Sequence, residues 1–124
     1  MSRTVSLWGP VILFMGIIFY LSAQPDVPIP AGTDKSFHSI GYTILSVLIV
    51  RALAGGLPAR ITVATALLAV ALATAYGVTD EFHQSFVPGR TAELNDLLAD
   101  AIGAVTGAFA CWLWGILFPS RHGL

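Results

Sequence analysis

Residues 5–21 read VSLWGPVILFMGIIFYL and contain no charged side chain. An α-helix rises about 1.5 Å per residue, so this run is about long enough to cross a hydrocarbon core of roughly 30 Å. Residues 61–79 read ITVATALLAVALATAYGVT and are equally free of charge. Runs of this length and character predict helices that span a membrane.

Two further apolar runs, residues 37–53 and 97–118, carry His38 and Asp100 near their beginnings. We expect both to span the membrane as well. A very hydrophobic soluble bundle is the alternative, but its helices would need a polar stripe facing water. Only 10% of the residues are charged and 56% are hydrophobic, so that stripe is missing.

We therefore predict an all-α fold, an integral membrane bundle of four transmembrane helices over about residues 5–22, 37–53, 61–79 and 96–118. The whole chain, residues 1–124, forms one domain in this interpretation. The first run could instead be a cleaved signal peptide. Leu21 argues against cleavage, because it stands where the cleavage motif requires a small residue.

The distribution of arginine predicts the orientation. With four spans, the two termini and the loop at residues 51–60 share one side, which then holds Arg3, Arg51, Arg60 and Arg121. The loops at residues 24–36 and 80–95 fall on the other side, and every acidic residue lies in or next to them. Because loops rich in arginine and lysine stay in the cytoplasm, we predict cytoplasmic N and C termini.

Ionisable side chains gather where the helices meet the outer side. Asp34, His38 and Tyr42 are spaced by four residues, so they share one helix face that runs inward. Tyr76 and Asp80 share a face of the third helix, joined by either His83 or Gln84 if the helix continues that far.

The fourth helix carries the most informative pattern. Asp96, Asp100, Gly103 and Gly107 lie on one face at helical spacing. A carboxylate at membrane depth is costly, so Asp100 should face protein or a wet cavity. Glycines one turn apart allow another helix to approach closely. We expect this face to turn into the bundle, or to pair with another copy of the chain.

These patterns define a candidate cluster for ligand binding or another function: Asp34, Lys35, His38, Tyr42, Asp80, Glu81, His83, Gln84, Arg90, Asp96 and Asp100. Helix N-capping explains Asp34 and Asn95 or Asp96 equally well. A salt bridge from Arg90 to Asp96 or Glu81 would explain part of the rest. Capping alone cannot account for the whole set, because polar groups inside membrane proteins are functional by default.

At these same residues the chain resembles the VanZ-like family, named for a membrane protein associated with resistance to the glycopeptide teicoplanin. The resemblance rests on Asp34-Lys35-Ser36-Phe37-His38 with Tyr42, on residues 80–90 (DEFHQSFVPGR), and on Asp96, Asp100, Gly103 and Gly107. It implies a multi-pass protein of the bacterial inner (cytoplasmic) membrane, linked to the cell envelope and to antibiotic susceptibility. It supplies no reaction, substrate or cofactor for these residues.

Three functions remain open. The first is binding or translocation of an anionic lipid or a lipid-linked cell-wall precursor, with Arg90 and Lys35 holding phosphate. A divalent cation held by carboxylates among Asp80, Glu81, Asp96 and Asp100, with His38 or His83 as a further ligand, would offset their repulsion of phosphate, although no spacing is diagnostic of a metal. The second is an enzyme acting on an envelope lipid at the outer face, with Asp80 or Glu81 as a base and His83 or His38 as a proton shuttle, but with no good candidate for a nucleophile. The third is an accessory assembly protein. We expect the bilayer as a partner and no nucleic acid.

Overall fold

A computed structural model describes residues 2–23, 33–57, 59–87 and 94–118, with the side chains of residues 33–37 outside the description. It contains four α-helices, α1 (Arg3–Ser22), α2 (Thr33–Ala54), α3 (Val63–Gln84) and α4 (Leu94–Leu117). No strand occurs in the described ranges. The predicted all-helical fold of four helices is therefore confirmed.

Three of the helices, α1, α3 and α4, are long and apolar enough to cross a membrane. In α2, the described side chains form a shorter apolar helix, His38–Ala54. Large apolar side chains cover the outside of the bundle: Leu13 on α1, Leu67 on α3 and Ile102 on α4 are each more than 60% exposed. Hydrocarbon chains are the environment that such a surface requires, and the chain is a multi-pass membrane protein.

Two helices extend at least four residues further than predicted. Helix α2 begins at Thr33 instead of residue 37, and α3 continues to Gln84 instead of ending at residue 79. The end of α3 is polar, yet Asp80 and Gln84 are only 3% and 1% exposed. Because these side chains face the inside of the bundle, α3 continues as a helix through its polar residues, beyond the point where the apolar sequence ends.

Helices adjacent in sequence run antiparallel, so α2 and α4 run parallel and form the most extensive interface. Gly103 and Gly107 of α4 lie against the backbone carbonyls of Ser39 and Thr43, respectively. A Cβ atom at position 107 would lie 2.5 Å from the Thr43 oxygen, and one at position 103 would lie closer still to the Ser39 oxygen. Glycine at these two positions thus permits the close contact between α2 and α4. Because α2 covers this face of α4, the face is not free to pair with a second copy of the chain.

Helix α2 ends in a Schellman motif. The Gly56 N–H donates to the Arg51 carbonyl at 2.9 Å and the Gly55 N–H donates to the Ala52 carbonyl at 3.3 Å. Gly55 has φ of 80°, a left-handed conformation in which a side chain would be strained. This tight ending turns the chain back toward α3.

Helix α1 packs less closely than the others, with only Val11 and Ser22 buried. Pro10 lies inside this helix and has no N–H, so the Ser6 carbonyl loses its normal helical donor. The Arg51 guanidinium of α2 donates to that carbonyl at 3.0 Å. Farther along α1, the Tyr76 hydroxyl of α3 donates to the Met15 carbonyl at 2.6 Å. Polar contacts with backbone oxygens therefore fix α1 to the bundle.

Candidate functional site

Buried polar side chains collect at the end of the bundle where α2 and α4 begin and α3 ends. We call the following seven residues the polar cluster: His38, Tyr42, Asp80, Glu81, Gln84, Asp96 and Asp100. Asp100 is fully buried, Asp96 is 4% exposed and Glu81 is 9% exposed. Carboxylates so placed in a membrane protein carry a large desolvation cost, which selects for a function or for strong compensating contacts.

The centre of the polar cluster is a contact between α2 and α4. Nδ1 of His38 lies 2.8 Å from Oδ1 of Asp100, with side-chain exposures of 9% and 0%. The imidazole N–H donates to the carboxylate, which fixes the ring orientation and directs the other ring nitrogen away from Asp100.

Gly77 of α3 provides the space that the Asp100 carboxylate occupies. A Cβ atom at this position would lie 3.0 Å from Asp100 Oδ2 and 3.3 Å from Asp100 Cβ. Gly77 is not among the residues predicted from the sequence. Its position three residues before Asp80, on the same helix face as the buried Asp80, is the signal that could have identified it.

Glu81 completes a compact group with the His38–Asp100 pair. Each of the three residues offers one nitrogen or oxygen atom, and these atoms lie within 4.8 Å of one another. They come from three different helices, so the bundle must be assembled before the group exists. One imidazole and two carboxylates form a donor set that can hold a proton or a divalent cation.

Several buried oxygens of the polar cluster have no hydrogen-bond partner in the described part of the chain. They are Asp100 Oδ2, the Tyr42 hydroxyl and Gln84 Oε1. Tyr42 and Gln84 are each 1% exposed. The Tyr42 hydroxyl lies within electrostatic reach of Asp80, Asp100 and Glu81. Buried oxygens of this kind normally bond to something, and each would cost about 1–3 kcal/mol if left without a partner.

Other predicted residues lie elsewhere or beyond the description. The ring of His83 stacks on Phe19 of α1, with centroids 4.1 Å apart, so Gln84 and not His83 joins Asp80 on the buried face. Asp34 and Lys35 belong to α2, but their side chains are not described, and Arg90 lies outside the described residues. Helices α2 and α4 begin at Thr33 and Leu94, so Asp34, Asn95 and Asp96 lie inside the first turns and not at the N-cap.

Aromatic side chains flank the polar cluster on the surface. Phe82 and Phe86, at the end of α3, form an edge-to-face pair with centroids 5.2 Å apart, and are 70% and 71% exposed. Phe86 therefore points outward and does not fold over the bundle. Exposed rings at a helix end are typical of the membrane interface, which places the polar cluster close to the level of lipid headgroups.

A groove of about 450 Å³ lies far from the polar cluster, toward the opposite end of the bundle. Its lining consists of Leu57, Ala110, Cys111 and Trp114. These side chains are apolar apart from the buried thiol, so the groove offers space for hydrocarbon and no chemistry for a polar ligand.

The comparisons with known proteins identify a family and no individual relative. A family model described as VanZ/LLP1 matches residues 7–118, which is most of the chain. Neither a curated protein nor a solved structure gave a significant match. The match spans all four helices and the whole polar cluster.

Proposed function

The chain belongs to the VanZ/LLP1 family, and from that premise we propose that it binds, or moves across the bilayer, an anionic lipid or a lipid-linked cell-wall precursor. The site would be the polar cluster at the outer face of the bacterial inner membrane, with both termini in the cytoplasm. Occupancy of this site would change susceptibility to glycopeptides such as teicoplanin. The buried polar cluster at the end of an apolar helix bundle is the observation that carries this proposal.

Depth in the membrane favours a lipid over a soluble ligand. The polar cluster lies at the end of a spanning bundle, beside the exposed Phe82 and Phe86 rings. A lipid that enters from the side can place its headgroup there while its chains follow the apolar surfaces of the helices. A soluble ligand has no hydrocarbon chains to pack against those apolar surfaces.

Arg90 and Lys35 are the cations that would meet a phosphate. Both flank the polar cluster in sequence, Lys35 near the start of α2 and Arg90 shortly after α3. The planar guanidinium can bind a phosphate through two parallel hydrogen bonds, which a lysine ammonium cannot do. We therefore assign the larger share of headgroup binding to Arg90.

A second candidate, an enzyme acting on an envelope lipid, is favoured by the His38–Asp100 geometry. A histidine oriented by a buried carboxylate is the usual arrangement of a general base, and Tyr42 adds a hydroxyl beside the carboxylates. A nucleophile is harder to find. Ser85, which lies close to His83 in sequence, donates its hydroxyl to the Phe82 carbonyl at 2.6 Å and is exposed. Binding therefore remains the first proposal.

Mass spectrometry of retained lipids tests the binding proposal. The protein is purified in a mild detergent as wild type, as Arg90→Ala and as Arg60→Ala, which removes an exposed arginine predicted to lie on the opposite side of the membrane. We expect an anionic lipid to be enriched over the membrane extract in the wild type and in Arg60→Ala, and lost in Arg90→Ala. Equal retention in all three proteins, or equal loss in both variants, would refute the proposal.

The enzyme alternative is tested with the same three proteins and His38→Gln. Each is reconstituted with the retained lipid, and headgroup cleavage or transfer is followed over time. Turnover that is present in the wild type and absent from a folded His38→Gln variant would place the enzyme ahead of the binding protein.

A further inference from the structure

We propose that His38, Glu81 and Asp100 bind one divalent transition-metal ion, Zn²⁺ or Mn²⁺, inside the polar cluster. The three residues come from α2, α3 and α4, and the ion would join the three helices at their most polar level. Metal binding does not depend on the proposed lipid function, but it would explain how an acidic cluster receives an anionic headgroup.

The distances suit a metal after a small adjustment. Two ligand atoms that each lie about 2.1 Å from an ion can be at most about 4.2 Å apart, and adjacent ligands are separated by about 3 Å. His38 Nδ1 and Asp100 Oδ1 are already 2.8 Å apart, and the ligand atoms of all three residues lie within 4.8 Å of one another. The ion would take the place of the proton that Nδ1 donates to Asp100. Rotation of the long Glu81 side chain can bring its carboxylate within the limit for a shared ion.

The oxygens without partners point to a missing ligand, independently of the acidic composition. Asp100 is fully buried, and its Oδ2 has no hydrogen-bond partner in the described ranges, although Oδ1 is bound to His38. The same is true of the Tyr42 hydroxyl, which is one turn from His38 on the same face of α2. An ion with its bound water would satisfy both groups, because a coordinated carboxylate commonly has an outer-shell hydrogen-bond donor.

The donor set selects the type of metal. Imidazole favours transition metals over Mg²⁺ and Ca²⁺, which prefer an all-oxygen environment, while carboxylates also suit Mn²⁺. Three protein ligands leave at least one coordination position open. That position could take water or a phosphate oxygen, so the ion would reverse the local charge from repelling an anionic headgroup to binding it.

Metal analysis of the purified protein tests this site. Wild type in detergent is stripped with a chelator and titrated with ZnCl₂, MnCl₂ and MgCl₂ in a calorimeter, and the bound metal is counted by mass spectrometry. We expect one Zn²⁺ or Mn²⁺ per chain and at least about tenfold weaker binding of Mg²⁺. We also expect His38→Gln and Glu81→Gln to weaken Zn²⁺ or Mn²⁺ binding at least about tenfold, as loss of a ligand should.

His83→Gln is the matched control, because it makes the same substitution as His38→Gln at an imidazole that stacks on Phe19 and is not part of the three-residue group. We expect its metal affinity to stay within about threefold of wild type, since it removes no ligand. Wild type that binds no metal above background would overturn the proposal, and so would a loss in His83→Gln as large as that in Glu81→Gln. If His38→Gln does not fold, two other results decide whether the site exists. One is the metal affinity of Glu81→Gln, and the other is the visible spectrum of Co²⁺-loaded wild type, because a nitrogen ligand gives a spectrum distinct from that of an all-oxygen site.

The outcomes separate this site from the proposed function. Arg90→Ala should release the lipid and keep the metal, whereas Glu81→Gln should lose the metal in the absence of any lipid. Metal binding without lipid retention would support the ion site and refute the lipid proposal, and the reverse result would refute the ion site alone.

Discussion

His38 of α2 and Asp100 of α4 face each other inside the bundle, with Nδ1 and Oδ1 2.8 Å apart and both side chains shielded from solvent. The contact links two parallel helices next to the point where Gly103 and Gly107 of α4 allow the two backbones to approach closely. Its hydrogen bond is therefore made in a site of low polarity, where loss of one partner leaves the other without compensation.

Removing both partners should destabilise the protein by less than the sum of the two single removals. His38→Ala leaves the Asp100 carboxylate without its donor, and we expect a loss of about 1–3 kcal/mol. The double variant His38→Ala/Asp100→Ala should lose at least about 0.5 kcal/mol less than the sum of the single variants. The free energies of unfolding of wild type, the two single variants and the double variant, measured in mixed micelles, give the coupling between the two side chains. Additive losses would show that the two side chains do not interact in the membrane.

The α2–α4 interface should tolerate no side chain at Gly103 or Gly107. A Cβ atom at either site meets a backbone carbonyl, Ser39 or Thr43, and a backbone atom cannot rotate away. We expect Gly103→Ala and Gly107→Ala to lower the free energy of unfolding by about 1–3 kcal/mol.

Gly41→Ala in the middle of α2 is the control, because nothing lies within 4 Å of the added Cβ. It should be neutral or stabilise the helix by up to about 1 kcal/mol. The three variants are compared by their midpoints of unfolding, measured in the same detergent. If Gly41→Ala destabilises as much as Gly107→Ala, close packing against the Ser39 and Thr43 carbonyls would not be the cause of the loss.

The packing face of α4 could be predicted from the sequence, while its partner could not. Asp100, Gly103 and Gly107 share a face by helical spacing alone, and the cost of a carboxylate in hydrocarbon directs that face inward. Spacing does not say which helix fills the space beside the glycines. The carbonyls of Ser39 and Thr43 on α2 do so, a result of how four helices pack together.

The end of α3 shows the same limit. His83 and Gln84 are adjacent in sequence, so either could have continued the face of Asp80. The choice depends on where α1 and α4 lie around α3. The imidazole of His83 stacks on Phe19 of α1, and Gln84 is turned inward. Gly77 was missed for a related reason, because its role appears only when the Asp100 carboxylate is placed against it.

Pro10 and Arg51 should be energetically coupled, although they lie on different helices. Pro10 deprives the Ser6 carbonyl of its helical donor, and Arg51 supplies a replacement at 3.0 Å. We expect Arg51→Met to cost about 0.5–1.5 kcal/mol in the wild type. In a Pro10→Ala background the cost should be smaller, because the backbone N–H that alanine restores at this position satisfies the carbonyl. An equal cost in both backgrounds would show that Arg51 stabilises by another route.

Cysteine labelling tests the proposed orientation. In a Cys111→Ala background, Arg60→Cys precedes α3 and Ser85→Cys follows it, and both positions are exposed. A thiol reagent that cannot cross the membrane should label position 85 from outside intact cells and position 60 only after the membrane is opened. The opposite pattern would reverse the bundle and place the polar cluster on the cytoplasmic side.

Gly77→Ala should impair the site more than the fold. The added Cβ would lie 3.0 Å from Asp100 Oδ2, a side-chain atom that can move away by rotation, whereas at Gly107 the obstacle is a backbone oxygen. We therefore expect a stability loss of at most about 1 kcal/mol, together with metal binding weakened at least about tenfold, because the displaced carboxylate no longer meets His38 and Glu81 in the same geometry. Calorimetric titration with Zn²⁺ and Mn²⁺ and unfolding in mixed micelles, measured on the same preparation, separate the two effects. Gly16→Ala, with nothing within 4 Å of its added Cβ, is the control for the substitution itself. Unchanged metal affinity in a folded Gly77→Ala protein would mean that the position of the Asp100 carboxylate does not matter to the site.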